Sequence, residues 1–190
     1  MSHLHSDHVN IFALDNAKDK NLKLIFGLSG NATKHNWVDV NEKVKDIAIR
    51  SVPTYHDEAQ GLMRGKNTVF CLEIDGWRFC HLGDLGHPLT DDQLKKIGEV
   101  DVLMIPVGGV YTLNGPEAKK VVEQIKPKEY IFPMHYATKV FDDLLPIDEF
   151  LEDVEPARVA VSDDNKVTLN KDAQRPRPLI VQLNYEAKRK

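Results

Sequence analysis

The chain opens Met1-Ser2-His3-Leu4-His5-Ser6-Asp7-His8, and three imidazoles with a carboxylate fall here in the pattern His-x-His-x-Asp-His. On an extended or turning backbone, side chains two apart point the same way. His3 and His5 can therefore grip one ion while Asp7 and His8 turn towards a second beside it. A surface-exposed histidine-rich terminus, or a purification tag, is the competing reading of the same residues. The rest of the chain decides between them.

Further ligands are expected where strands run into loops. Asp46 to Val52 alternates apolar and polar side chains and is closed by Pro53, which reads as a strand delivering Thr54-Tyr55-His56-Asp57. Trp77 to Leu82 is a second strand, leading into Gly83-Asp84-Leu85-Gly86-His87, where glycines permit a close approach of backbone to an ion. The apolar run Tyr130-Ile131-Phe132, broken by Pro133, presents Met134-His135-Tyr136. Taken singly, His56, Asp84 or His135 reads as a hydrogen-bonded core or surface residue. Taken together with the N-terminal motif they read as ligands.

The order His-x-His-x-Asp-His, His56, His81-Leu82-Gly83-Asp84, Pro133-Met134-His135 resembles the metallo-β-lactamase superfamily. Tyr55-His56-Asp57, Arg64-Gly65-Lys66-Asn67-Thr68, His81 to Gly86, Ile105-Pro106-Val107-Gly108-Gly109 with Tyr111-Thr112, Glu117-Ala118 and Pro133 to Tyr136 resemble, more narrowly, the branch containing ascorbate-6-phosphate lactonase and many metal-dependent hydrolases. The resemblance implies an α/β (α+β) fold, an αββα sandwich, with residues 1–190 forming one hydrolase domain. It implies that His3, His5 and His56 hold one metal, that Asp7, His8 and His135 hold a second, and that Asp84 bridges them. Members of that superfamily carry several strands ahead of this motif, whereas only Met1 and Ser2 precede His3 here. The expectation is an N-terminally truncated sandwich whose open edge self-associates into a homo-oligomer, or whose ligand loop is loosely held.

The implied cofactors are two divalent ions, zinc first, with manganese or iron also compatible with His and carboxylate ligands. Two such ions ~3.5–4 Å apart share a hydroxide at near-neutral pH and polarise a carbonyl or phosphoryl oxygen, so no serine or cysteine nucleophile is needed. Asp7 and Asp84 are the carboxylates assigned to catalysis, with Asp7 or a metal-bound water receiving or returning the proton. The expected reaction is hydrolysis of a lactone, ester or phosphoester of a small polar molecule. Arg64, Lys66 or a loop with Lys34, His35 and Trp37 can meet an anionic group, although each also reads as a solvated cation or a packed aromatic. Tyr111, Thr112 and Tyr136 adjoin the site and read first as packing residues, and His87 is not counted as a ligand. The alternatives are a phosphodiesterase acting on nucleic acid or phospholipid, and a relative that folds without catalysing.

Composition narrows these choices. With 190 residues, 42% hydrophobic and 28% charged, the chain can bury a sizeable core without disulfides. A net charge of -4 gives no broad basic field of the kind nucleic-acid binders use. The longest mainly apolar run, Val102 to Val110, is far short of the ~20 residues of a membrane helix, and no secretory signal is visible, so a cytoplasmic, membrane-free setting is expected.

Asp75-Gly76 is a strong hairpin signal. Pairing around it sets Ile74 opposite Trp77, Glu73 opposite Arg78 as an ion pair, Leu72 opposite Phe79 and Cys71 opposite Cys80, the last two as packed thiols without a catalytic role. Elsewhere the pattern predicts a helix over Val9 to Lys18 and a buried strand over Lys23 to Leu28. A helix capped by Thr90 and Gln93 should run through Ile97, followed by a strand from Asp101 to Pro106 and a helix from Pro116 to Ile125. A helix over Leu144 to Asp153 and strands near Arg158 to Val161 and Pro178 to Leu183 complete the chain.

Overall fold

The computed structural model describes residues 1–3, 5, 23–31, 34–139, 141–163 and 166–184. The helix expected over Val9 to Lys18 lies outside them. Among the described residues a small hairpin, β1 (Leu28–Asn31) and β2 (Lys34–Trp37), stands beside one large sheet. That sheet contains β3 (Asn41–Val44), β4 (Ile47–Tyr55), β5 (Lys66–Ile74), β6 (Trp77–His81), β7 (Val102–Pro106), β8 (Tyr130–Met134), β9 (Val159–Val161) and β10 (Leu179–Gln182). Its order is β3-β4-β5-β6-β7-β8-β10-β9, antiparallel from β3 to β6 and parallel from β6 onward.

Among the described residues three helices cross between the parallel strands: α1 (Asp91–Ile97), α2 (Gly115–Ile125) and the short α3 (Asp148–Leu151). The first two begin with capping boxes, Thr90 with Gln93 and Asn114 with Glu117, which satisfy backbone N–H groups that a helix start leaves open. Val121, Ala118 and Ile125 of α2 pack with Leu103, Ile105 and Ile131 on one face of the sheet, making the main core. The other face carries Trp77, Phe79, Val102, Tyr130, Phe132 and Val181. A groove of about 410 Å³ lies on that face between Ile25, Ile49, Phe70, Leu72 and Met104.

The Asp75-Gly76 hairpin has the expected register, with Cys71 opposite Cys80 as buried free thiols. Arg78, however, does not spend its charge on Glu73. Its guanidinium binds Asp101 (2.7 Å) and Glu99 instead, because Asp101 leads into the adjacent parallel strand and is buried there. The two prolines expected to end strands do not. β4 continues through Pro53 and β8 through Pro133. Pro53 lies beyond the last rung to β3, and its carbonyl on that side accepts Gln93 Nε2 at 2.9 Å. Pro133 likewise lies beyond the last rung to β10, so neither removes a ladder hydrogen bond.

Two expectations are corrected outright. Lys23 to Phe26 is not a regular strand, because its hydrogen bonds go to the first residue: Met1 N donates to Ile25 O at 2.8 Å, and Gly27 N to Met1 O at 2.9 Å. The helix expected over Leu144 to Asp153 shrinks to Asp148–Leu151. Pro146 bars its preceding residue from helix, and Leu145 instead donates to Gly108 O and accepts from Ala137 N.

The topology sets the site. The C-terminal ends of β4, β6, β7 and β8 and the start of β5 share one edge of the sheet, so the loops after Tyr55, His81, Pro106 and Met134 cluster there.

Candidate metal centre

His56 follows β4, Asp84 follows β6 and His135 follows β8, and the first residues of the chain lie across these ends. The rings of His3, His5 and His56 form a near-equilateral triangle: 4.9 Å from His3 to His5, 5.1 Å from His3 to His56 and 5.0 Å from His5 to His56. One donor atom from each lies within 4.8 Å of the others. Asp84 Oδ2 lies 3.4 Å from His3 Nε2, 3.2 Å from His56 Nε2 and 3.5 Å from His135 Nε2. Two donors each ~2.1 Å from one tetrahedral ion stand about 3.4 Å apart, so this spacing is that of ligands sharing ions. Nδ1 of His56 is buried with no hydrogen-bond partner among the described residues. Three imidazoles and a carboxylate, with His3, His56 and Asp84 buried and His5 exposed, fit a divalent ion of the zinc or manganese type. Asp7 and His8 lie outside the described residues.

Supports behind these donors were not read from the sequence. Asn67, fully buried on β5, donates from Nδ2 to Thr54 Oγ1 and to Leu82 O, both at 2.8 Å, and accepts the Asp84 N–H on Oδ1 at 3.1 Å. Ser2 Oγ lies 3.0 Å from His3 Nδ1, and Thr112 Oγ1 3.3 Å from His135 Nδ1, so hydroxyls address the ring nitrogens that face away from Asp84. Two glycines allow the loops to close on the ligands. A Cβ on Gly86 would meet His56 O at 2.3 Å, and one on Gly108 would meet His135 O at 2.2 Å. His135 itself adopts a left-handed backbone, φ 52°, a conformation that non-glycine residues take at a penalty of about 1–3 kcal/mol.

The cleft above the donors encloses about 370 Å³ and is lined by His5, His56, Met63, Arg64, Asp84, Tyr111 and His135. The Arg64 Nη2 donates to Val110 O at 3.0 Å, and its guanidinium carbon lies 5.4 Å from the centre of the Tyr111 ring. Asp57 fixes the loop that carries Arg64, accepting the N–H groups of Gly61 (3.0 Å), Met63 (3.2 Å) and Arg64 (2.7 Å). Burial pushes the Asp57 carboxyl up, but these backbone donors outweigh it and hold it below the ordinary carboxylate range.

Lys66 and the segment around Trp37 are not in the cleft. Lys34 to Trp37 is strand β2 rather than a loop, and Lys66 Nζ donates to His35 O at 2.7 Å while lying 4.2 Å above the Trp37 ring. Trp37 Nε1 donates to Asn67 O, and its ring meets Tyr55 edge-on. His87 accepts the Tyr55 N–H on Nε2 at 3.0 Å, which leaves Nδ1 to donate to Pro88 O. Tyr136 packs against the main core.

Residues 1–135 match the family model of the β-lactamase superfamily domain. The chain belongs to this superfamily. A metallo-β-lactamase superfamily protein of Thermotoga maritima, assigned as a Zn-dependent hydrolase, is 35% identical, with a TM-score of 0.61 over 77% of this chain and 69% of its own. A metallo hydrolase of the archaeon Ignicoccus hospitalis shares the fold at 22% identity, with a TM-score of 0.57 over 81% of this chain and 69% of its own. Among curated relatives, a UPF0173 metal-dependent hydrolase of Thermococcus onnurineus is 28% identical over 149 residues, 73% of this chain and 66% of its own. A UPF0173 protein of Pyrococcus furiosus is 30% identical over 169 residues, 85% of this chain and 75% of its own. This chain covers 66% of the Thermococcus relative's length and 43% of that of a UPF0173 metal-dependent hydrolase of Pyrococcus furiosus, less than two thirds of each. As in a metallo-β-lactamase superfamily domain, a large mixed sheet with few helices carries the histidines at its loop edge, and no helix among the described residues is long and apolar enough to cross a membrane.

Proposed function

We propose that the chain is a binuclear metal-dependent hydrolase that opens a lactone, ester or phosphoester of a small molecule. The observation that carries this is Asp84, whose Oδ2 lies within 3.2 to 3.5 Å of the Nε2 atoms of His3, His56 and His135. A carboxylate oxygen so placed is suited to bridge two ions. His3, His5 and His56 would hold one, and His135, with Asp7 and His8, the other. When bound, such a pair supplies an acidified water and polarises the scissile carbonyl or phosphoryl oxygen. Zinc is the first expectation and manganese or iron the next.

The protein's own residues aim and shield. Ser2 and Thr112 hold the rings of His3 and His135 in one orientation, Asn67 holds the backbone of Asp84, and Arg64 sets a cation in the cleft wall where negative charge develops. Asp7 is assigned to receive the proton.

Elemental analysis of chain incubated with zinc, manganese or iron should find two ions per chain. A screen of ester, lactone and phosphodiester substrates should find turnover that a chelator abolishes. Binding of no ion, or turnover indifferent to the chelator, overturns this reading. Turnover of phosphodiesters alone reassigns the reaction.

A further inference from the structure

The mouth of the metal cleft is apolar, and the apolar side chains there face solvent. Leu62 is 89% exposed and Met63 74%, on the loop that carries Arg64, while Val110 is 49% and Tyr111 42% exposed on the facing loop. Met63 and Tyr111 line the same cleft as the metal donors, so the apolar surface is continuous with the site.

These loops are held in place. Asp57 takes three backbone N–H groups of the 57–65 loop, and that loop is joined to the other by the Arg64 bond to Val110 O. Val110 is β-branched yet has φ 58°, at the centre of a turn in which Tyr111 N donates to Gly109 O at 2.6 Å. A left-handed β-branched residue is an unfavourable conformation that persists only where its surroundings over-determine it, and such residues concentrate at binding sites. Two fixed loops thus hold four apolar side chains out in the solvent beside a site whose floor is polar.

We propose that the substrate is an acyl ester or lactone whose apolar arm lies on Met63 and Tyr111 and extends over Leu62 and Val110, with the scissile carbonyl below at the metals. This rests on the hydrolase reading above and adds what its substrate carries. Full burial of a methylene is worth about fourfold in affinity, and a rim that covers one side of the arm about twofold. From acetyl to hexanoyl, a gain of four methylenes, kcat/KM should therefore rise on the order of tenfold.

The test uses the full chain loaded with zinc and the 4-nitrophenyl esters of acetate, butyrate, hexanoate and octanoate. Titration calorimetry with acetate and hexanoate gives a readout that needs no turnover. The expected result is a kcat/KM for hexanoyl about tenfold above that for acetyl, and a Kd for hexanoate about tenfold below that for acetate. Each ratio should fall to within about twofold in the Leu62→Ser/Met63→Ser double variant and persist in Val161→Ser, which removes an apolar side chain, 68% exposed, from edge strand β9. Circular dichroism and metal content confirm that each variant is folded and loaded. A flat ratio in the wild type, or an unchanged ratio in the double variant, overturns the proposal. So does a flat ratio accompanied by sedimentation with phosphatidylcholine vesicles, which assigns the rim to a lipid surface. No turnover of any ester, lactone or phosphodiester while hexanoate still outbinds acetate leaves the apolar rim standing and overturns the hydrolase reading. Turnover with a flat ratio does the reverse.

Discussion

Asn67 lies wholly inside the protein, between β5 and the loop that presents Asp84, and offers no donor atom to the metal centre. Replacing it by alanine strands the Asp84 N–H and the Leu82 carbonyl in a buried setting. Each such group costs about 1–3 kcal/mol, so Asn67→Ala should lose about 2–6 kcal/mol in urea denaturation. Loss of an outer support typically weakens metal binding ~10–100-fold, and a chelator competition should show that here. Asp84→Asn is expected to act differently, stripping or scrambling the metals, read by elemental analysis, with an unchanged circular dichroism spectrum. Full occupancy by two tightly held ions in that variant would remove Asp84 from the bridging position. The two residues also mark what the sequence could and could not tell. The convergence of His3, His5, His56, Asp84 and His135 was legible because side chains of types that can hold metals stood in order, the first two in a dense motif and the others after strand-like runs. Asn67, by contrast, is one polar residue in a strand, and its bond to Asp84 exists only because β5 and β6 pair in one register. Lys66 misled for a similar reason: whether its ammonium reaches a cleft or a tryptophan depends on where β2 lies.

The loops that present these residues are short and tightly nested. Gly86→Ala would drive a methyl group to 2.3 Å from His56 O, so backbone must move. The expected outcome is a loss of more than ~2 kcal/mol in denaturation together with weaker metal binding. Asn114→Ala makes the contrast, since it removes only the cap of α2. It should cost about 1 kcal/mol and leave metal content untouched. The Thr90 capping box and the Asp75-Gly76 turn were legible because each is a local device in which the residues that choose the structure also complete it. The prolines of β4 and β8 were not, because whether a missing N–H matters depends on where the neighbouring strand stops. The helix expected from Leu144 failed on Pro146 and on the bonds Leu145 makes to Gly108 and Ala137, which no periodicity reveals.

Away from the site, β6 and β7 are joined by Arg78 and the buried Asp101, whose carboxyl the guanidinium holds at about 2, below its ordinary 3.8. A lowered carboxylate pKa stabilises the fold above the unfolded value, and that contribution is lost as pH falls through the folded one. Denaturation midpoints should therefore drop between pH 3.8 and about 2. In Asp101→Asn the drop should be smaller, with a deficit of about 2 kcal/mol at neutral pH. The candidate metal donors have a different reach. They come from residues 3, 5, 56, 84 and 135, so an ion at their centre ties together stretches that are far apart along the chain. In the unfolded chain those stretches are separate loops, and closing them is opposed by entropy that the ion offsets only in the folded state. At free ion about 1,000 times Kd the gain is about 4 kcal/mol, so a chelator should lower the Tm by roughly 10 °C in a thermal scan. The ion is then a removable staple, and scarcity of metal reaches beyond turnover to the survival of the polypeptide. A chain without its staple unfolds more often and is cleared by proteases. In cells grown without metal its half-life, followed by pulse-chase, should shorten, while that of the metal-free Asp84→Asn variant is short from the outset.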